Sequence, residues 1–218
     1  MSSYYNNTPR TTVKRRAGRA HYDRATIDAI LDEGLVGHVG VCSDGQPYVI
    51  PMLYARDEDR IYLHGSPLSR LLGDLVDGMP MCLTVTLLDG LVLARSAFHH
   101  SLNYRSVVVL GEGRAVLDRG QKLAAMRTLV ERALAGHSTD ARGPSEQELD
   151  ATKVVALAID EASAKIRAGP PVDAAEDYGL PVWAGELPLR VAAGAPVPDS
   201  RCAAPLPPYL SSYGRGDA

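Results

Sequence analysis

The stretch Tyr62 to Leu72, YLHGSPLSRLL, gathers the residues of this sequence best suited to chemistry. An apolar strand ends at His64, the chain turns on Gly65, and a helix restarts, with Ser66 and Pro67 suited to the N-cap and first helical positions. Ser69 and Arg70 follow three and four residues after Ser66, so the spacing predicts all three on one side of the first turn. Capping alone accounts for Ser66 and Pro67. It does not account for an arginine near the positive end of the helix dipole, where a cation is mildly unfavourable. The alternative is an anion, most simply a phosphate, taking backbone N–H groups, two hydroxyls and a charge-assisted guanidinium contact. From these residues alone both readings stay open. So does the role of His64, either a hydrogen-bonded structural histidine or a group beside a ligand.

The other candidate groups are weaker. His99 and His100 are adjacent, and on a strand they would point to opposite faces, a poor arrangement for two ligands of one metal, so no metal site is expected. Thr84 and Thr86 share one face of a strand, and Ser106 interrupts an apolar run; such hydroxyls satisfy backbone groups or line a pocket for a polar heterocycle. The run GEGRAV at 111–116 lacks the third glycine of a dinucleotide fingerprint and lies within a strand, where a β-bulge is the better reading. The sequence also carries no P-loop, no nucleophile elbow and no His-x-x-x-His pair.

These residues must be positioned by a mostly β chain. A short helix opens at Asp23 with Ile27, Ile30 and Leu31 on one face and stops at Gly34. Strands are predicted from Val36 to Cys42, Tyr48 to Tyr54 and Ile61 to His64, joined by turns at SDGQP and RDEDR. The helix from Pro67 places Leu68, Leu71, Leu72, Leu75 and Met79 on one face and ends at Gly78. Met81 to Leu88 alternates as a strand, LDG reads as a turn, Leu91 to Phe98 follows, and a long strand runs from Tyr104 to Leu117. A helix over 119–135 turns Leu123, Met126, Leu129, Val130 and Leu134 inward, and a last strand begins at Val154 and continues toward Ile166. About six strands with inserted helices predict a small antiparallel barrel and not a parallel βαβ sheet.

The chain has 218 residues, 45% hydrophobic and 22% charged, which suits one buried domain with tails. A net charge of −3 gives no global attraction to nucleic acid or to an anionic membrane. Three scattered cysteines, Cys42, Cys82 and Cys202, argue against a disulfide framework and fit a reducing, cytoplasmic setting, as does the lack of a long apolar run. Residues 1–20 are polar and basic and are expected to form a solvated arm, since aromatic residues do not interleave the basic run. Nine of the fifteen prolines lie in 169–218, which predicts an extended segment over 169–191 that packs on the 21–168 domain through Trp183, followed by a mobile tail over 192–218.

Three long runs, DGQPYVIPMLYARDEDRIYLHGSPLSRLL, DGLVLARSAFHHSLNYRSVVVLGEGRAV and SAKIRAGPPVDAAEDYGLPVWAGELPL, together resemble the pyridoxamine 5′-phosphate oxidase-like flavin-binding split-barrel proteins over about residues 20–190. The narrower resemblance is to flavin-nucleotide-binding proteins near the nitroimidazole-resistance proteins. It implies a mainly β fold with helices, a six-stranded antiparallel split β-barrel, assembled as a homodimer with FMN at the subunit interface. By that resemblance Ser69 and Arg70 hold the FMN phosphate with help from Ser66. Val49, Ile50, Pro51 and Met52 run along the isoalloxazine, and His64 and Gly65 border the ribityl chain. Ser106 takes a flavin-contacting position, and Tyr104 and Arg105 reach the same pocket from the partner subunit. His64 also matches a flavin-proximal histidine of the nitroimidazole-resistance proteins, which makes it the candidate catalytic residue.

The basic C-terminal segment that the oxidase uses for its phosphorylated substrate has no match at 192–218, so vitamin B6 oxidation is not expected. The function that follows is an FMN-dependent oxidoreductase acting on a small organic molecule, with NAD(P)H as electron source. The alternatives are a haem-binding split barrel with His64, His99 or His100 on the iron, and a non-enzymatic protein that binds flavin or the deazaflavin F420.

Overall fold

A computed structural model of the chain describes residues 3–69, 71–73, 77–211 and 213. Its centre is a closed ring of six antiparallel strands. β2 (Val36–Ser43) pairs β3 (Gln46–Asp57), which pairs β4 (Arg60–Gly65), then β7 (Lys153–Ala158), β6 (Ser101–Ala115) and β5 (Asp77–Leu93), which returns to β2. The fold is therefore the expected mainly β split barrel. Three further strands lie outside the ring: β8 (Glu161–Arg167) and β1 (Ala20–His21) extend β6, and β9 (Gly185–Pro188) lies along β5.

The interior is filled by the alternating inward residues of these strands, among them Val39, Ile61, Leu63, Leu83, Val107, Val109, Val155 and Leu157. Helix α1 (Arg24–Glu33) is capped by Asp23, whose carboxylate accepts the Thr26 N–H at 2.8 Å, and contributes Ile27, Ile30 and Leu31 to the same cluster. Tyr54 is fully buried, and its hydroxyl donates to the Leu31 carbonyl at 2.5 Å, which ties α1 to β3. Helix α2 (Arg119–Ala133) buries only Ala125 and Leu129 fully, while Leu123, expected to face inward, is exposed.

Several local expectations are corrected. LDG is not a turn: β5 runs unbroken through it, with a register shift between Leu88 and Gly90. Gly90 is required there for a different reason, because a Cβ would lie 2.9 Å from the Leu187 carbonyl of β9. The helix predicted from Pro67 begins later. Ser66 to Ser69 form a turn, helical conformation is described at 71–73, Leu68 is exposed, and Met79 belongs to β5.

Residues 4–11 are not a solvated arm. Tyr5 is buried with its hydroxyl on Asp28 at 2.7 Å and its ring under the Arg24 guanidinium, and Arg10 pairs with Glu161 at 2.6 Å. Apolar anchoring by Tyr5 outweighs the polarity of its neighbours. Trp183, expected to pack on the body, has its ring against Gly185 yet remains 67% exposed, since it sits beside the edge strand β9.

Candidate functional site

β3 and β4 pair only from Tyr54↔Leu63 to Asp57↔Arg60. On the other side of that junction β3 continues along β2 over residues 46–53, while β4 continues along β7 through His64↔Val154 and Gly65↔Lys153. The two strands part, and among the described residues no strand pairs 46–53 on the side away from β2. Alternate residues of an antiparallel strand turn both N–H and C=O to the same side, so residues 49–53 offer open backbone donors and acceptors on the side away from β2. Pro51 supplies no donor, as suits an edge. Val49 is 67% exposed and Ile50 38%, so the open edge is apolar in its side chains and polar in its backbone. A planar heterocycle with polar rim atoms matches that combination.

The opposite lip of the split carries the turn. The Ser66 hydroxyl accepts the Leu68 N–H at 3.2 Å, and Ser69 N–H bonds the Ser66 carbonyl at 3.0 Å. The Ser69 hydroxyl accepts the Leu72 N–H at 3.5 Å, so Ser69, not Ser66, caps the helical turn at 71–73. A Cβ at Gly65 would lie 2.7 Å from Leu72, so glycine lets the buried Leu72 pack under the strand end. Arg70, expected to bind phosphate, lies outside the described residues.

Two residues complete the lip. The Nδ1 of His64 is buried and has no hydrogen-bond partner among the described residues. Burial pushes its imidazole below the ordinary histidine value, so it is neutral near pH 7. A buried, unpaired ring nitrogen is costly to leave without a partner, and His64 sits at the end of β4, one residue before the turn. Lys153 heads β7 directly opposite Gly65 and therefore rises on the face where Leu72 packs. Its ammonium has no ion-pair partner among the described residues. The sequence reading missed it because it is a lone lysine at the head of an apolar run, KVVALA, some eighty residues from the turn it faces.

The β6 candidates are not brought to this cleft within one chain, because β2 and β5 separate β6 from β3. Arg105 bonds Asp89 through Nε at 3.1 Å and Glu33 through a terminal nitrogen at 2.8 Å, clamping the end of α1 to β5. Its two carboxylate partners push its value further up, so it stays charged. Ser106 donates to the Lys165 carbonyl of β8 at 3.3 Å, and Tyr104 is half-buried opposite Leu88. Thr84 lies opposite His38 of β2, and Thr86 lies opposite Ser106.

His99 ends a 3-10 turn at Ala97–His99, and its ring lies within 4.8 Å of Asp173 and Asp177. Asp173 already accepts the Arg95 N–H at 2.9 Å and the Arg95 guanidinium at 3.0 Å. The carboxylate thus anchors the 169–188 segment to the barrel. Two cavities of about 490 and 470 Å³ are present; neither is lined by His64, Ser66 or Ser69, and the second is lined by Pro47, Tyr48 and Val49 of the β3 edge, where Val49 and Ile50 stay exposed. No helix among the described residues is long and apolar enough to cross a membrane.

Comparison with known proteins agrees with this geometry. The sequence profile of the family described as pyridoxamine 5′-phosphate oxidase matches residues 23–166. The chain is similar to the flavocytochrome Anf3 from Azotobacter vinelandii, at 41% identity and a TM-score of 0.90 over 95% of this chain and 97% of that one. It is also similar to an FAD- and haem-binding protein from Mycobacterium smegmatis, at 36% identity and a TM-score of 0.85 over 88% and 96% of the two chains. A 5-nitroimidazole antibiotic resistance protein from Bacteroides thetaiotaomicron shares the fold, at 22% identity and a TM-score of 0.55 over 67% of this chain and 86% of that one. No curated protein sequence matches. With the profile covering both lips of the split and most of the barrel, the chain belongs to the pyridoxamine 5′-phosphate oxidase family.

Proposed function

We propose that this protein is a flavin-binding oxidoreductase that works as a homodimer and seats its flavin in the β3/β4 split. One observation carries the reading: among the described residues, β3 parts from β4 and leaves the 49–53 edge without a second strand, at the end of β4 that carries the serine turn and His64, whose buried Nδ1 has no hydrogen-bond partner. The residues fit the group. Val49 and Ile50 offer apolar surface to the ring, and the open backbone of 49–52 offers hydrogen bonds to its polar rim. His64 offers one ring nitrogen to a hydroxyl, and Ser66, Ser69 and Lys153 at this end of β4 and β7, with Arg70 next to Ser69 in sequence, are the groups that would take a phosphate. A bound flavin supplies hydride and electron transfer, while the protein binds, orients and shields.

FMN is the minimal cofactor that satisfies this cleft, and FAD is the alternative favoured by the FAD-binding relative. The exposure of the cleft in one chain supports dimerisation, in which Tyr104, Arg105 and Ser106 of a second copy would approach it. Haem binding is a second reading, supported by two relatives described as a flavocytochrome and as binding FAD and haem. The substrate is a small organic molecule, with NADH or NADPH as donor.

The test is the absorption spectrum of purified protein, with mass analysis of the cofactor released on denaturation. Flavin bands and released FMN or FAD are expected, a Soret band would add haem, and released F420 would replace the flavin assignment. A colourless protein that takes up neither FMN nor FAD overturns the proposal.

A further inference from the structure

We infer that His100 is the axial ligand of a haem iron seated on the outer end of the β5–β6–β9 sheet, an inference that rests on the haem part of the proposed function. His100 is exposed, and its Nδ1 lies 3.0 Å from the Ser96 carbonyl. A carbonyl only accepts, so in the neutral ring Nδ1 carries the proton and Nε2 presents a lone pair. That is the state and the outer hydrogen bond of an iron-ligating imidazole. The remaining histidines do not combine these features. His64 and His99 have buried Nδ1 atoms without partners, His21 sits beside Asp23, His137 shares its Nδ1 with the Tyr209 hydroxyl, and no bond fixes the tautomer of His38.

The surface beside His100 suits a flat apolar ligand. Leu102, two residues further on, lies opposite Leu91, and Leu91 lies opposite Leu187. Directly opposed residues share a sheet face, so three leucines form one row across β6, β5 and β9. Leu102 is 45% exposed, Leu187 50%, and Phe98 at the adjoining turn 86%. The iron needs a lone pair from the protein and the porphyrin needs apolar area. The two requirements meet at this one edge.

The experiment titrates hemin into the full-length protein and into His100→Ala, His99→Ala, His64→Ala and Leu187→Asp, reading the Soret band and the ferrous spectrum. The wild type and the His99 and His64 variants should take up one hemin per chain with the same band. His100→Ala should shift the band and bind hemin at least tenfold more weakly, with the band restored by added imidazole. Leu187→Asp should weaken binding without shifting the band. Thermal melting, read on the same samples, shows that each variant is folded. An unchanged band and affinity in His100→Ala overturns the ligand assignment while the haem reading stands, as does loss of the band in His99→Ala or His64→Ala alone. A wild type that takes up no hemin overturns both.

Discussion

Lys153 gives the sharpest test of the cleft, because it was placed there by strand pairing alone. Its Cα pairs with that of Gly65, the residue before Ser66, and directly opposed residues lie about 4.5–5.5 Å apart. Its ammonium has no competing carboxylate among the described residues. A charge-assisted contact between an ammonium and a phosphate is typically worth about 1.5–3 kcal/mol. Partial hydration and the ordering of a flexible side chain reduce the net to about 1.5 kcal/mol, roughly a tenfold change in Kd.

The perturbation is Lys153→Ala, assayed by quenching of flavin fluorescence on titration into flavin-free protein. Two ligands are compared, FMN and riboflavin, which differ only in the phosphate. The variant should lose about tenfold in FMN affinity and almost nothing in riboflavin affinity. The gap between the two ligands should narrow at high salt, since the lysine is only half-buried. Equal losses for both ligands would mean that Lys153 supports the cleft and does not touch phosphate. No loss for either would refute the reasoning from register to anion.

Other outcomes follow from the same structure. Arg70→Ala should weaken FMN binding roughly ten- to a hundredfold, by about 1.5–3 kcal/mol, and far more than His64→Ala does in the same titration. Tyr54→Phe removes the bond to the Leu31 carbonyl and should cost about 1 kcal/mol in urea unfolding, the lower end of the range because Arg132 also reaches that carbonyl at 3.4 Å. The lowered value of His64 comes from burial, so the unfolded chain binds its proton more readily. Stability should therefore fall as pH drops below about 6.5 toward the folded value, and His64→Gln should flatten that slope between pH 5.5 and 7.5. For Asp173, burial alone would push the carboxyl up, but Arg95 and two backbone N–H groups outweigh it and hold it below the usual range. Asp173→Asn should release the 169–188 segment to limited proteolysis at neutral pH, where the wild type resists.

The barrel was largely legible because strands announce themselves through alternation, and Val36 to Cys42, Tyr48 to Tyr54 and Ile61 to His64 all fall within β2, β3 and β4. The misreadings share a physical cause: local residue chemistry was overruled by partners distant in sequence. LDG carries good turn residues, yet β9, a hundred residues later, needs Gly90 for close approach and keeps β5 straight. The basic arm looked solvated until Tyr5 found Asp28 and Arg24. Pro67 suits a first helical position, yet the chain spends one more turn before Ser69 caps the helical residues at 71–73.

The site divides along the same line. Its serine turn is contiguous, so the phosphate grip proposed for it can be argued from eleven residues. Its open edge could not, because a strand edge is defined by which partner is missing, and that depends on where β4 leaves β3 for β7. Lys153 was hidden for the same reason. The β6 residues make the complementary case. Arg105 and Ser106 look like pocket residues in sequence, but within one chain their polar atoms are engaged by Glu33, Asp89 and Lys165. For Arg105 to contact a flavin in a dimer, it must give up at least one of two carboxylates already in place. Ser106 needs only to rotate its hydroxyl away from a 3.3 Å bond. Of these two, Ser106 is therefore the one that a second copy can recruit at lower cost, and Arg105 is better understood as the clamp that holds α1 to β5.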